Sequence, residues 1–300
     1  MPPHVSCIAS TESLFTGANI QFEDLRNVSK VQKKLMGERH EVEFASLLAT
    51  GSLRHRARLR GLSMAHANDW LHALPISSLG QRVQSRPFRI MLRRHLGVSI
   101  LGLPSKCPLC GRFSDSFGDH AGVCPMGGDK NRRHNAVRDI LFLAARGAAL
   151  SVEREPKHLL LRGGQKPADL LIRNFSEGFH ASAFDVSVSD TLQSTSLHHA
   201  AVVTGYVAQA AHDRKVRKYR EACLEVNLDF FPMVWESTGG ATSTVHSMVE
   251  SWSNQEADRC GLPRSTIRAR LYQRISLTLQ RDLARMVMKR MSTQDSSWVL

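Results

Sequence analysis

The sequence predicts a mixed α/β sheet with flanking helices, preceded by a metal knuckle and a small helical, basic region. Three observations carry that expectation. From Ser151 to Trp235 the apolar pattern runs strand, strand, strand, helix, strand, with a further helix just upstream. Elements in that order pack as a sheet with helices against its faces. The stretch Ala183-Phe184-Asp185-Val186-Ser187-Val188-Ser189 alternates strictly, placing Phe184, Val186 and Val188 on one face and Asp185, Ser187 and Ser189 on the other. Before the sheet, Cys107, Cys110, His120 and Cys124 form the spacing C-x2-C-x9-H-x3-C.

Taken in order, residues 1–50 join a polar leader to a helix near Val31 to Ala49. Met1 to Thr16 hold neither a basic start nor an apolar run, which argues against a secretory signal. Residues 51–106 carry Arg54, Arg56, Arg58 and Arg60, then Trp70, Leu71, Leu74 and a helix over Pro87 to Leu96. The four arginines read first as a solvated face, with a phosphate track as the sharper alternative. Past the knuckle, Val137, Ile140, Leu141, Ala144 and Ala148 give helical spacing over His134 to Leu150. Lys130, Arg132 and Arg133 precede that helix, where free N–H groups already favour an anion. A strand over Ser151 to Glu155 stops at Pro156, a turn at Gly163-Gly164 follows, and Lys166-Pro167-Ala168-Asp169 leads into the strand Leu170-Leu171-Ile172. A long helix is expected over 196–226, a buried strand over Leu228 to Trp235, and helices from Val245 through Arg290. The expected division is a helical basic region (1–106), a knuckle (107–128), a sheet-bearing core (129–240) and a helical C-terminal extension (241–300). Trp70, Trp235 and Trp252 are expected in the core, and His198 and His199 on the surface, since adjacent helical residues point about 100° apart.

Composition narrows the function classes. No run of 18 apolar residues exists, so no membrane span is expected. Cys7, Cys223 and Cys260 show no disulfide rhythm, which suggests a reducing compartment, nuclear or cytoplasmic. The net charge of +13 favours an acidic polymer, because each neutralised phosphate releases a condensed counterion. Aromatic residues are only 6%, so a base-stacking platform is poorly supported.

The cysteine–histidine group suits zinc, which takes soft sulfur and imidazole donors tetrahedrally. Four protein ligands would leave no open position, so a structural site is expected. Asp169 opens one strand and Asp185 lies within the next. If these strands form a hairpin, the two carboxylates share one end of the sheet and could hold Mg²⁺, with Glu155 as a third candidate. Aspartate is disfavoured inside strands, which marks Asp185 as an unusual choice.

The series Cys-x2-Cys, His-x3-Cys, Arg132-Arg133-His134-Asn135, Glu155-Pro156, Lys166-Pro167-Ala168-Asp169, Asp185 and Lys215-x2-Lys218-Tyr219 resembles one family. It is the restriction-like endonuclease region, of PD-(D/E)XK type, that follows a CCHC knuckle at the C-terminus of site-specific non-LTR retrotransposon polyproteins. The resemblance covers 107–235, and residues 51–106 look like the linker between polymerase thumb and knuckle. It implies a restriction-endonuclease-like fold, zinc on Cys107, Cys110, His120 and Cys124, and Mg²⁺ on Asp169 and Asp185, with Glu155 and Lys215 completing the catalytic set. Lys130, Arg132, Arg133, His134, Lys166 and Lys218 would bind nucleic acid. The implied partners are DNA, then element RNA, and a reverse transcriptase in trans. Two departures stand out: Ala168 separates Pro167 from Asp169, and Ser187 replaces the strand lysine. The helix supplies candidates for the missing cation. Lys215 flanks a stripe of Val216, Tyr219 and Cys223, whereas Lys218 points nearly opposite. The alternatives are a catalytically inactive nucleic-acid-binding protein and a retroelement remnant.

Overall fold

The computed structural model describes residues 31–161, 166–173, 175 and 180–291. The leader Met1 to Thr16, Cys7, the Gly163-Gly164 turn and the polar tail lie outside the described residues. The chain divides into two compact units at Arg56 and Ala57. The first holds α1 (Val31–Thr50). The next helix in sequence, α2, spans Leu53–Leu62.

The second unit continues with α3 (Ser85–Leu96), a two-stranded ribbon of β1 (Ser105–Lys106) and β2 (Phe113–Ser114), and α4 (Asp119–Val123). Next come α5 (Asp129–Gly147), β3 (Val152–Arg154), β4 (Leu170–Ile172) and β5 (Ala181–Ser189). The unit ends with α6 (Leu197–Ala200), α7 (Tyr206–Leu224), β6 (Leu228–Glu236), α8 (Ser243–Cys260) and α9 (Arg264–Met288). It is a mixed α/β unit whose sheet runs β3-β4-β5-β6. The first three strands are antiparallel, while β5 and β6 are parallel over their full length, from Ala181↔Leu228 to Ser189↔Glu236.

Both faces of the sheet are covered. Phe184 and Val186 pack with Val137 and Leu141 of α5, Trp252 of α8, and Ile275 and Leu279 of α9. On the other face Ala183 and Leu171 meet Cys223 and Tyr219 of α7, and Ala208 and Ala211 meet Val234. The alternation in β5 thus sorts two cores, as expected for a strand buried on both sides. The stretch after 241 completes the main core rather than lying apart from it. Trp70, Trp235 and Trp252 are all buried, and His198 and His199 are exposed.

Two elements differ from the sequence-based expectation. The helix expected over 196–226 is broken between Ala200 and Tyr206, where Gly205 takes a left-handed φ of 75°. Buried Glu236, at the end of β6, accepts the Ala208 N–H at 3.3 Å. An acidic side chain there satisfies the free amides of α7 and favours a fresh helix start. The arginine series is no uniform solvated face, since positions two apart on a helix diverge. Arg58 is buried and donates to the His95 carbonyl, and Arg60 Nε donates to the Ala201 carbonyl at 3.0 Å.

The shared core sets an expected outcome. Leu279→Ala should cost about 2–5 kcal/mol, the range for emptying a buried leucine site. Denaturant unfolding checks this. A loss below about 1 kcal/mol would separate α9 from the core.

Candidate active site and metal centre

Strand β4 begins where the ladder yields to a side chain. The Asp169 N–H donates to the Phe184 carbonyl at 2.9 Å, and the Val186 N–H donates to Asp169 Oδ2 at 2.7 Å. The Asp169 carboxylate therefore lies along Phe184 to Val186 and brackets Asp185. Its other oxygen, Oδ1, is 3.0 Å from His134 Nε2 on the second turn of α5. A carboxylate can only accept, so this contact places the proton on Nε2.

Asp185 is only 7% exposed, within a strand covered on both sides. Lys215 Nζ donates to its Oδ2 at 2.5 Å. The lysine sits along the stripe that α7 turns to the sheet, four residues beyond Ala211 and four before Tyr219. Lys215 and Val216 are both partly buried, so the lysine lies at the edge of the apolar stripe. The small residues Ala208 and Ala211 bring α7 close, and the lysine stem spans what remains. Burial pushes the Asp185 carboxyl up to about 6, outweighing the attraction of Lys215; the Asp169 charge adds to the rise, and His134 opposes it.

Asp185, Lys215 and His134 line a cleft of about 290 Å³ together with Lys130, Asn131 and Arg133 at the start of α5. Ser187 lines it as well and so faces the same space as Lys215. Arg133 is buried, and its Nε and Nη1 have no hydrogen-bond partner. Other candidates stand aside. The Glu155 main chain continues the ladder with Asp169, but its carboxylate pairs with Arg138. Arg132 leans towards Asp129 at 3.5 Å. Lys166 is exposed, and Lys218 lies 4.6 Å from the centre of the Tyr219 ring.

The second centre is the knuckle. The ligand atoms of Cys107, Cys110, His120 and Cys124 all lie within 4.8 Å of one another. Zinc–sulfur bonds of about 2.3 Å imply donor separations near 3.8 Å in a tetrahedron, so the group can hold a metal ion such as zinc. The turn after Cys107 closes through the Gly111 N–H, which donates to the Cys107 carbonyl at 2.8 Å. Asp115 accepts the N–H groups of Phe117, Asp119 and His120 at 2.8, 3.1 and 2.9 Å, which starts α4 and aims His120. Burial and the nearby Arg290 lower the His120 pKa, keeping the imidazole in its neutral, ligating form. Gly122 has no room for a side chain: a Cβ there would lie 2.0 Å from Asp190 Oδ2, just past the end of β5.

Sequence reasoning missed what fastens the knuckle to the core. Buried Arg290, after α9, donates to Asp129 Oδ2 at 3.0 Å and to the Met126 carbonyl at 2.9 Å. Lys289 Nζ donates to Asp129 Oδ1 at 2.6 Å. Nothing local predicts these ties, because the partners are more than 150 positions apart.

No protein-family model matches the chain, and no curated protein matches it. Among the described residues no helix is long and apolar enough to cross a membrane.

Two outcomes follow from the geometry. Purified protein should carry about one zinc per chain, and Cys124→Ser should lower that content and loosen the fold around 107–135, measured by metal analysis and amide exchange. Full occupancy in the variant would remove Cys124 from the ligand set. Separately, folded Asp185 binds its proton more tightly than the unfolded chain does. Its stabilising contribution is therefore present at low pH and is lost as pH rises through about 6. Without added Mg²⁺, the melting temperature of Asp185→Asn relative to the unmodified chain should rise between about pH 4.5 and 7. A flat difference would mean that Asp185 titrates as an ordinary carboxylate.

Proposed function

We propose that the chain is a Mg²⁺-dependent DNA endonuclease module of the restriction-like type found with non-LTR retroelements. One observation carries the reading: Asp185 and Lys215 face one basic cleft from a strand and a helix, and the Asp169 carboxylate brackets Asp185 through the Val186 N–H. Two hard carboxylates fit Mg²⁺, which keeps several waters and accepts phosphate oxygens in its remaining positions. When bound, the ion acidifies a water and offsets charge on the phosphorane. The chain's own residues supply the rest. Asp169 is held by the Val186 N–H and His134, so its position is fixed before substrate arrives. Lys215 carries a cation on a helix into the space that Ser187 leaves empty, where it can stabilise developing negative charge. Lys130 and the buried Arg133 line the cleft and lend it positive charge that favours the phosphodiester backbone. A nuclear or cytoplasmic location, DNA as partner and element RNA as a second partner belong to the same proposal.

A second reading is favoured by one contact. Lys215 already neutralises Asp185 at 2.5 Å, as it would in a purely structural ion pair. The protein would then bind nucleic acid without cutting it.

Plasmid nicking separates the two. With Mg²⁺ the unmodified chain should cleave, and Asp169→Ala or Asp185→Ala should reduce cleavage to background while DNA binding is kept. Lys215→Ala should lower the rate at saturating DNA by about 10²–10³, whereas Lys218→Ala should mainly weaken binding. Absence of cleavage by the unmodified chain in every divalent metal tried would leave the binding reading in place.

A further inference from the structure

Helix α9 carries a row of cations that the cleft does not use. Arg270, Arg274, Arg281, Arg285 and, just past the helix end, Lys289 all fall within about 100° of arc at 3.6 residues per turn. The row is about 28 Å long at 1.5 Å per residue. It follows a groove between α9 and α5. One hollow of about 170 Å³ is bordered by Arg270 and Arg274, and another of about 270 Å³ by Arg274 and Arg281. The two share Ile140, Leu143 and Arg274, so they form one depression.

The ends of the row differ. Towards the start of α5, Arg285 bonds Asp282 and Lys289 bonds Asp129, and Arg132 reaches towards both acids. One turn of α5 then leads to Lys130, Asn131 and Arg133 in the Asp185 cleft. At the other end, Arg270 and Arg274 are exposed and have no acidic partner among the described residues. Their neighbours on the same helix are different: Arg264 pairs with Asp258 and Arg268 with Glu250. Of the acids in the groove wall, Asp139 is held by Arg138 and Arg154, which leaves Glu256 at the far end.

We propose that this groove is a track for the phosphodiester backbone of duplex DNA flanking the cleft. The proposal rests on the nuclease reading only in taking the cleft as the place where the strand is held. A helical peptide would need apolar anchors recurring along the groove. Here the large exposed apolar groups of the wall are Leu79 and Leu143, while cations recur along its length. Repeated positive charge that continues into a basic cleft matches a polyanion.

The test measures DNA affinity against salt with the full chain, between about 50 and 200 mM, on a duplex of about 30 base pairs. Arg270→Gln/Arg274→Gln should flatten the log–log salt slope by about 2 and weaken binding at the lower salt by tenfold or more, leaving the melting temperature unchanged. The charge-matched control Arg264→Gln/Arg268→Gln should leave the slope unchanged. A double variant with the unmodified slope overturns the track and leaves this face to solvent or an acidic protein. Equal flattening by the control pair overturns it too, since position in the groove would then not matter. Cleavage is scored in the same samples. If the unmodified chain binds without cutting, the nuclease reading fails while the slope comparison still decides the track.

Discussion

A carboxylate buried in the middle of a strand constrains everything around it. Asp185 lies between Phe184 and Val186, which fill the main core, so it must point to the face covered by α7. An uncompensated charge there would cost several kcal/mol. Compensation comes from Lys215, which can reach only because alanines at 208 and 211 let α7 pack closely on β6. Even so the carboxyl keeps a raised pKa. A stability-driven sequence would place an apolar residue at that position. Retaining a costly pair beside an open cleft is what a functional site looks like in energetic terms.

The start of α5 is the junction of the second unit. Asp129 is buried under Lys289 and Arg290, and those hydrogen bonds outweigh burial to hold its carboxyl below the usual range. The same Arg290 donates to the Met126 carbonyl, two residues past Cys124. One guanidinium therefore joins the knuckle, the end of α9 and the helix whose first turns carry Lys130, Arg133 and His134. The junction thus links the knuckle by direct contacts to the helix whose next turn carries His134 against Asp169.

Local signals in the sequence located most of the elements. The alternation over 183–189, the helical spacing after His134 and the four metal ligands each depend on neighbours within a few residues, and each element formed near its expected bounds. What stayed hidden was non-local. The break before α7 answers to Glu236, nearly thirty residues on, and the burial of Arg58 answers to the His95 carbonyl. The Arg290 clasp had no sequence signal at all. At the site, the candidate carboxylates and Lys215 could be picked from residue type and spacing, yet the role of His134 could not. Its side chain lines the cleft, as a nucleic-acid contact would, and also lies against Asp169, a pairing with no local signal.

Two residues that depart from the pattern the sequence resembles have defined places in the fold. Ala168 is buried, in a cluster with Leu171 and Ala183, so the residue inserted between Pro167 and Asp169 serves packing while Asp169 still reaches the Val186 N–H. Ser187 lies in the cleft wall, and a lysine there would bring a second ammonium to a space that Lys215 already enters. Two like charges at one buried edge repel, and only one of them could pair with Asp185. A serine on the strand is thus the expected complement of a lysine on the helix.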